Sequence, residues 1–199
     1  MKREDCLFEL IYLKKEEDRA SETSIGFRRV ELGRLLAKKC PVEDDSVVVP
    51  VPETAILFAQ GYSLELNIPF IYAIFKKRPK VQTLFIKDRK KVIENAFFVV
   101  PELVKNKKIA LIDETIISGL SLSITIQKLK EAEPKEIHVR IIAPMRRRCP
   151  RRDFVEPWTS IKDISNYVEY FQVDSFEFLD DETLRGLASC VHCFEGGQK

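Results

Sequence analysis

The chain has 199 residues, 45% of them hydrophobic and 32% charged, with a formal net charge of +2. That length and balance suit one globular domain that buries a core without staples, and the small net charge excludes a global electrostatic drive toward nucleic acid or membrane. No apolar run reaches the length of a membrane span, and Met1-Lys2-Arg3-Glu4-Asp5 opens no secretory signal. A cytoplasmic protein is therefore expected, with its five cysteines serving chemistry or packing rather than structural disulfides.

Residues 22–40 read as a helix, because Val30, Leu32, Leu35, Leu36 and Ala37 mark an apolar face among arginines and lysines. Val47-Val48-Val49, bounded by Pro50 and Pro52, reads as a buried strand. A helix over 54–66 and a strand from Phe70 to Phe75 follow, then a basic loop, Lys76-Lys77-Arg78-Pro79-Lys80. Ile109 to Ile112 is a second buried strand, and it runs into Asp113-Glu114, Ser118-Gly119 and a helix over 121–132. Ile137 to Ile142 is a third. In the tail, Ser160 and Asp163 fit a capping box that opens a helix to about Phe171, and Asp180 caps a helix over 181–188.

Strands alternating with helices imply an α/β fold, a parallel sheet with helices on both faces. A single domain over 1–199 is expected, with its core at about 41–144 and a small cap built from 1–40 and 145–199.

The most informative segment is Ile109 to Ser121. A buried strand delivers two adjacent carboxylates, Asp113 and Glu114, to its C-terminal end, where ligands of open parallel sheets bind. Backbone N–H groups at a helix start, made approachable by Gly119, suit a phosphate. The hydroxyls of Ser118 and Ser121 add donors, and the carboxylates would accept hydrogen bonds from sugar hydroxyls. A plain strand-to-helix turn with a capping serine is the blander reading.

This strand, acid pair and glycine loop resemble the phosphoribosylpyrophosphate (PRPP) motif of phosphoribosyltransferases. Further segments are similar to the glutamine PRPP amidotransferase family: Cys6 to Tyr12, Arg29 to Ala37, Val47 to Thr54, Gly61-Tyr62, Asn67 to Phe70, Phe75 to Arg78 with Thr83, and Val173 to Phe176. The resemblance runs from about Cys6 to Gly196 and implies a type I phosphoribosyltransferase core. By it, Asp113 and Glu114 hold the ribose, and Thr115, Ser118, Gly119 and Ser121 hold the 5′-phosphate. Lys76 and Arg78 contact pyrophosphate, and Glu53 and Thr54 lie near Mg²⁺ and pyrophosphate. Glu114 stands where the family usually has Asp, and Ser118-Gly119-Leu120-Ser121 where amidotransferases usually carry Arg-Gly-Thr-Thr. Gln82 replaces an arginine. Only five residues precede Cys6, so the family's glutaminase domain is expected to be absent. Ammonia, a separate glutaminase subunit or another acceptor would then serve.

Cys190-Val191-His192-Cys193 is alone a weak signal. The resemblance aligns Cys6, Cys149, Cys190 and Cys193 with the four ligands of a [4Fe–4S] cluster in cluster-bearing members. The same thiolates could hold zinc, and small apolar packing is the remaining reading. Cys40 is read as packing, His192 as a bystander, and His138 as structural. Arg146-Arg147-Arg148 with Arg151-Arg152 reads as a solvated loop, against the sharper reading of a nucleic-acid patch. Trp158 reads as an anchor between cap and core. The implied function is a PRPP-binding phosphoribosyltransferase domain. The alternative is a non-catalytic iron–sulfur or zinc protein that senses a phosphorylated ligand. A homo-oligomer is compatible with either.

Overall fold

The computed structural model describes residues 6–20, 22–76, 97–146 and 166–194. The chain enters through a buried π-helical turn, Glu9–Leu13, and a two-stranded antiparallel hairpin of β1 (Arg19–Ala20) and β2 (Thr23–Ser24). Helix α1, Ile25–Lys39, starts later than the pattern suggested because residues 23 and 24 are spent on that hairpin. The Ser24 hydroxyl caps it by accepting from the Phe27 N–H at 3.2 Å. Lys38 and Lys39 sit in its last turn, where cations suit the helix dipole.

The main sheet has the order β3-β6-β7-β8, all parallel. These strands are β3 (Ser46–Pro50), β6 (Lys108–Ile116), β7 (Glu136–Pro144) and β8 (Ser175–Phe178). Val48 pairs with Ala110 and Ala110 with His138, which fixes the register across the middle of the sheet. The strand β8 comes from the tail, where no strand was expected. Its four residues are only partly buried, apart from an exposed Glu177, so they lack the buried run that marks β3 and β6.

The strand expected over 70–75 is different in the structure. The Val48 edge takes only a short contact: Val48 N–H donates to Pro69 O, and Ile71 N–H donates to Val48 O. The chain then leaves the sheet and forms β4 (Ile74–Lys76), which pairs antiparallel with β5 (Phe97–Val99). Phe75 and Phe98 face each other on the outer side of this ribbon and are both exposed.

Each face of the sheet has its own core. Ala110 and Ile112 of β6 pack with α1 and with α2, Ile56–Leu66. Ile109 and Leu111 pack on the opposite side with α4, Leu120–Glu131, and with the β4-β5 ribbon. Between α2 and α4 lies a one-turn helix α3, Pro101–Val104. The alternation follows from the two-residue period of a strand.

Helices α1 and α2 cross at bare backbone. A Cβ on Gly33 would lie 1.9 Å from Phe58 O, and one on Gly61 would lie 1.9 Å from Val30 O. Asn67, left-handed at φ 54°, ends α2. In the tail, α5 (Tyr167–Phe171) is capped by Asn166. The capping box at Ser160 and Asp163 lies outside the described residues, as does Trp158. Helix α6, Asp181–Leu187, is capped by the Asp180 carboxylate, which accepts from Thr183 N–H at 2.7 Å as the sequence suggested.

Candidate functional site

Strand β6 does not stop at Ile112. It pairs with β7 as far as Ile116 opposite Pro144, so the acid pair lies inside the strand rather than beyond it. Up to Ile112 the strand alternates, Ala110 and Ile112 facing α1 and α2 and Ile109 and Leu111 facing the β4-β5 ribbon, but Ile116 returns to the ribbon-side core, so the alternation breaks across the acid pair. At the carboxyl end of the sheet the Glu114 backbone N–H donates to Asp113 Oδ1 at 2.9 Å, and the two carboxyls interact directly.

Both acids are buried, Asp113 to 6% exposure and Glu114 to 3%. Burial pushes the Asp113 carboxyl well above the usual carboxylate range, the Glu114 charge adds to the shift, and the nearby Lys76 opposes it. Among the described residues, Glu114 Oε2 has no hydrogen-bond partner. A buried carboxylate oxygen without a donor is costly in a finished fold.

The loop after β6 turns through Ile117 and Ser118, and Gly119 opens α4. Gly119 is left-handed at φ 71°, a conformation that a side chain would strain. No side chain caps the first turn of α4. Ser118 and Ser121 are half-buried beside it. Thr115 stands apart from this loop: it lies within β6, and its hydroxyl donates to Ala143 O at 2.9 Å. The Thr115 hydroxyl is thus engaged within the sheet.

Glu53 and Thr54 sit just past β3, at the same end of the sheet. The Pro52–Glu53 peptide is cis and the Glu53 side chain is exposed. Glu53 acts on Tyr72, whose hydroxyl is pushed up by burial and by that charge. Lys76, at the end of β4, is exposed and acts on Asp113. Arg78, with Gln82 and Thr83, lies outside the described residues. Asp113, Glu114, Lys76 and the glycine turn are thus gathered at one sheet end, with Glu53 beside the adjacent strand.

The cysteines form a second locus, where the two ends of the chain meet. Cys6 and Cys190 make a parallel bridge, and Leu7 N–H donates to Cys190 O at 2.9 Å. Burial pushes the Cys6 thiol up, and the neighbouring Cys190 adds to this. Cys193 is buried, and its carbonyl accepts from Arg146 N–H at 2.8 Å. Cys149 lies outside the described residues. Among those described, no group of three or more His, Cys, Asp or Glu side chains is assembled to hold a metal ion. Cys40 is buried in the core as expected, and burial pushes its thiol up to about 11. His138 bridges Ser175 Oγ and Glu136 Oε2, at 2.8 Å and 3.0 Å, so it is tied into the sheet. Arg146 stacks 5.3 Å from the Phe178 ring and pairs with Asp181; the other arginines of its cluster lie outside the described residues.

One buried charge was missed. Arg29 is buried to 1% on the inner stripe of α1, in step with Ile25, Leu32 and Leu36. The signal was available, since the helical period places position 29 on the apolar face.

A profile of the phosphoribosyl transferase domain family matches residues 31–177. The chain belongs to that family. Within it, the chain is of the amidophosphoribosyltransferase-like type. It is 28% identical over 172 residues to the amidophosphoribosyltransferase of Pyrococcus horikoshii, which covers 82% of this chain and 38% of the relative. It superposes on a structure described as the allosteric regulatory enzyme of purine biosynthesis with a TM-score of 0.80 at 25% identity. That match covers 96% of this chain and 45% of the other. The glutamine PRPP amidotransferase of B. subtilis, complexed with ADP and GMP, gives a TM-score of 0.78 at 25% identity, covering 96% and 46%. The fold is therefore the type I phosphoribosyltransferase fold, and the chain spans under half the length of these relatives. Among the described residues no helix is long and apolar enough to cross a membrane.

Proposed function

We propose that this chain binds PRPP at the carboxyl end of its sheet and transfers the phosphoribosyl group to a small nitrogen nucleophile, ammonia being the simplest. The observation that carries the reading is the buried pair Asp113–Glu114 beside the glycine opening of α4. It supplies ribose acceptors and phosphate donors within one turn of chain. In the transfer, the bond from C1 to the pyrophosphate oxygen breaks and the pyrophosphate leaves with the electron pair. The bond from C1 to nitrogen forms, and nitrogen loses a proton. The chain's own task is positioning and charge neutralisation. Asp113 and Glu114 orient the ribose, Ser118, Gly119 and Ser121 hold the 5′-phosphate, and Lys76 with Arg78 meets the pyrophosphate. Glu53, an exposed hard-oxygen donor, fits a Mg²⁺ that travels with PRPP and spreads its charge. Ammonia could come from solution or from a separate glutaminase subunit.

At the second locus we propose that Cys6, Cys149, Cys190 and Cys193 together bind a [4Fe–4S] cluster, with zinc as the alternative occupant. The pairing of Cys6 with Cys190 supports two of the four ligands. Cys149 follows three residues after Arg146, whose backbone is tied to Cys193. Such a site would supply a structural clasp with soft thiolate ligands.

Calorimetric titration of the purified chain with PRPP and Mg²⁺ tests the first reading, followed by an assay for pyrophosphate release with ammonia. Saturable binding with turnover is the expected result. Absence of both would sink the transferase reading. Binding without turnover would favour the second reading, a ligand-sensing protein. The Thr115 hydroxyl bonded to Ala143 rather than turned to the loop is the observation in its favour.

A further inference from the structure

The beginning and the end of the chain meet on one backbone bridge, and each side of that bridge carries a cysteine. Cys6 and Cys190 are its two partners, paired in parallel, and Leu7 N–H donates to Cys190 O at 2.9 Å. Both are free thiols. Neighbouring strands run about 4.8 Å apart, and residues directly opposite one another share a face. That spacing falls inside the range of roughly 4.4–6.8 Å over which a disulfide joins two Cα atoms. The register is held by packing next to the bridge. Leu7 and Phe8 are buried, and the Phe8 ring lies 6.3 Å from that of Phe194, centroid to centroid.

Exposure gives the two sulfurs an order of reaction. Cys6 is 4% exposed and Cys193 2%, whereas Cys190 is only half-buried. A reagent from solution therefore meets Cys190 first. The obvious rival partner for Cys190 is Cys193, three residues on. Redox pairs of that spacing use a helix start to stabilise the attacking thiolate. Here α6 ends at Leu187, and no helix starts at Cys190 among the described residues. Cys193 lies past a turn, with its carbonyl held by Arg146 N–H at 2.8 Å. The residue placed directly opposite Cys190 is Cys6.

We propose that Cys6 and Cys190 close a reversible disulfide that clasps the two ends of the chain under oxidising conditions. The oxidant is a small disulfide, of which oxidised glutathione is the natural example. The Cys190 thiolate attacks one of its sulfurs, a mixed disulfide forms, and one glutathione leaves as a thiolate and takes up a proton. Cys6 gives up its proton and attacks the Cys190 sulfur, and the second glutathione leaves in the same way. Two protein thiols are oxidised and one small disulfide is reduced to two thiols. The bond closes a loop of nearly the whole chain, the case in which a cross-link restricts the unfolded state most. The inference rests on the backbone pairing and is independent of the PRPP reading. It adds a condition to the metal reading: the same two sulfurs cannot ligate a metal and form a disulfide at once, so oxidation and metal binding exclude each other at this junction.

The test uses the full chain, stripped of metal by a chelator under reducing conditions and then exposed to oxidised glutathione. Remaining thiols are alkylated, and the unreduced protein is digested and mapped by mass spectrometry. The expected product has lost two thiols, links the Cys6 peptide to the Cys190 peptide, melts at a higher temperature than the reduced chain, and reverts with dithiothreitol. Cys6→Ser should stop at the mixed disulfide on Cys190, and Cys190→Ser should leave Cys6 unmodified. A link from Cys190 to Cys193, a link to any other cysteine, or no link within the chain overturns the proposal. Should a variant not fold, the wild-type map decides alone. Should chelation unfold the chain, the map is made on the protein as purified, with the same readings. A disulfide between Cys6 and Cys190 in protein that keeps its full metal content would overturn the mutual exclusion. Protein that holds no metal at any stage would sink the metal reading and leave the disulfide map as it stands.

Discussion

Asp113 carries a cost in stability that its proposed role in binding would offset. Its carboxyl is buried beside Glu114, and its affinity for a proton is raised above that of the unfolded chain. The folded state then holds more protons than the unfolded state at pH values between the two pKa values. Stability must therefore fall as pH rises from about 4, the unfolded value, through the raised folded value, and level off above it. Asp113→Asn removes this loss while Asn Oδ1 can still accept from Glu114 N–H. The variant should be more stable than wild type at neutral pH and show a flatter stability profile, yet bind PRPP more weakly. Urea midpoints measured from pH 4 to 8 check it; a variant that is no more stable than wild type at neutral pH would remove the argument. At this scale the sequence was partly legible. The acids and Gly119 stand out because a strand and a turn dictate their neighbours. The Thr115–Ala143 bond depends on how far β6 runs, and only the pairing with β7 fixes that.

At the scale of elements, the crossing of α1 and α2 carries the helix-side core. Gly33 and Gly61 let each helix lie against the carbonyl of the other, with no room for a methyl group. Gly33→Ala or Gly61→Ala should force the helices apart and cost about 1–3 kcal/mol, the usual range for overpacking, despite the better helix propensity of alanine. Chemical denaturation of each variant measures the effect; equal stability to wild type would mean that the crossing is loose. The long elements were legible because a helical stripe or a β-branched run marks them. The strand β8 and the 70–76 region were not, since one is a half-exposed edge strand and the other changes partners after Ile71. Long-range pairing decided both, and no local pattern reports it.

On the scale of the whole molecule, the cysteine locus joins the beginning of the chain to its end. Leu7 is hydrogen-bonded to Cys190, Arg146 to Cys193, and the entry turn packs against β6. If a metal site completes this junction, its binding free energy is folding free energy, because the unfolded chain cannot offer four converged thiolates. Anaerobically purified wild-type protein should contain iron and sulfide, or zinc, and Cys190→Ser should lose the metal and melt at a lower temperature. Chelation of the wild type should lower its melting temperature to that of the variant, while the variant should not respond to chelator. The N-terminal turn holds Arg29 through Leu10 O and Lys14 O. A Cys190→Ser protein that retains full metal content and wild-type melting would show that these cysteines only pack. A variant that loses metal and stability but keeps full PRPP affinity would show that the clasp and the ribose site are independent.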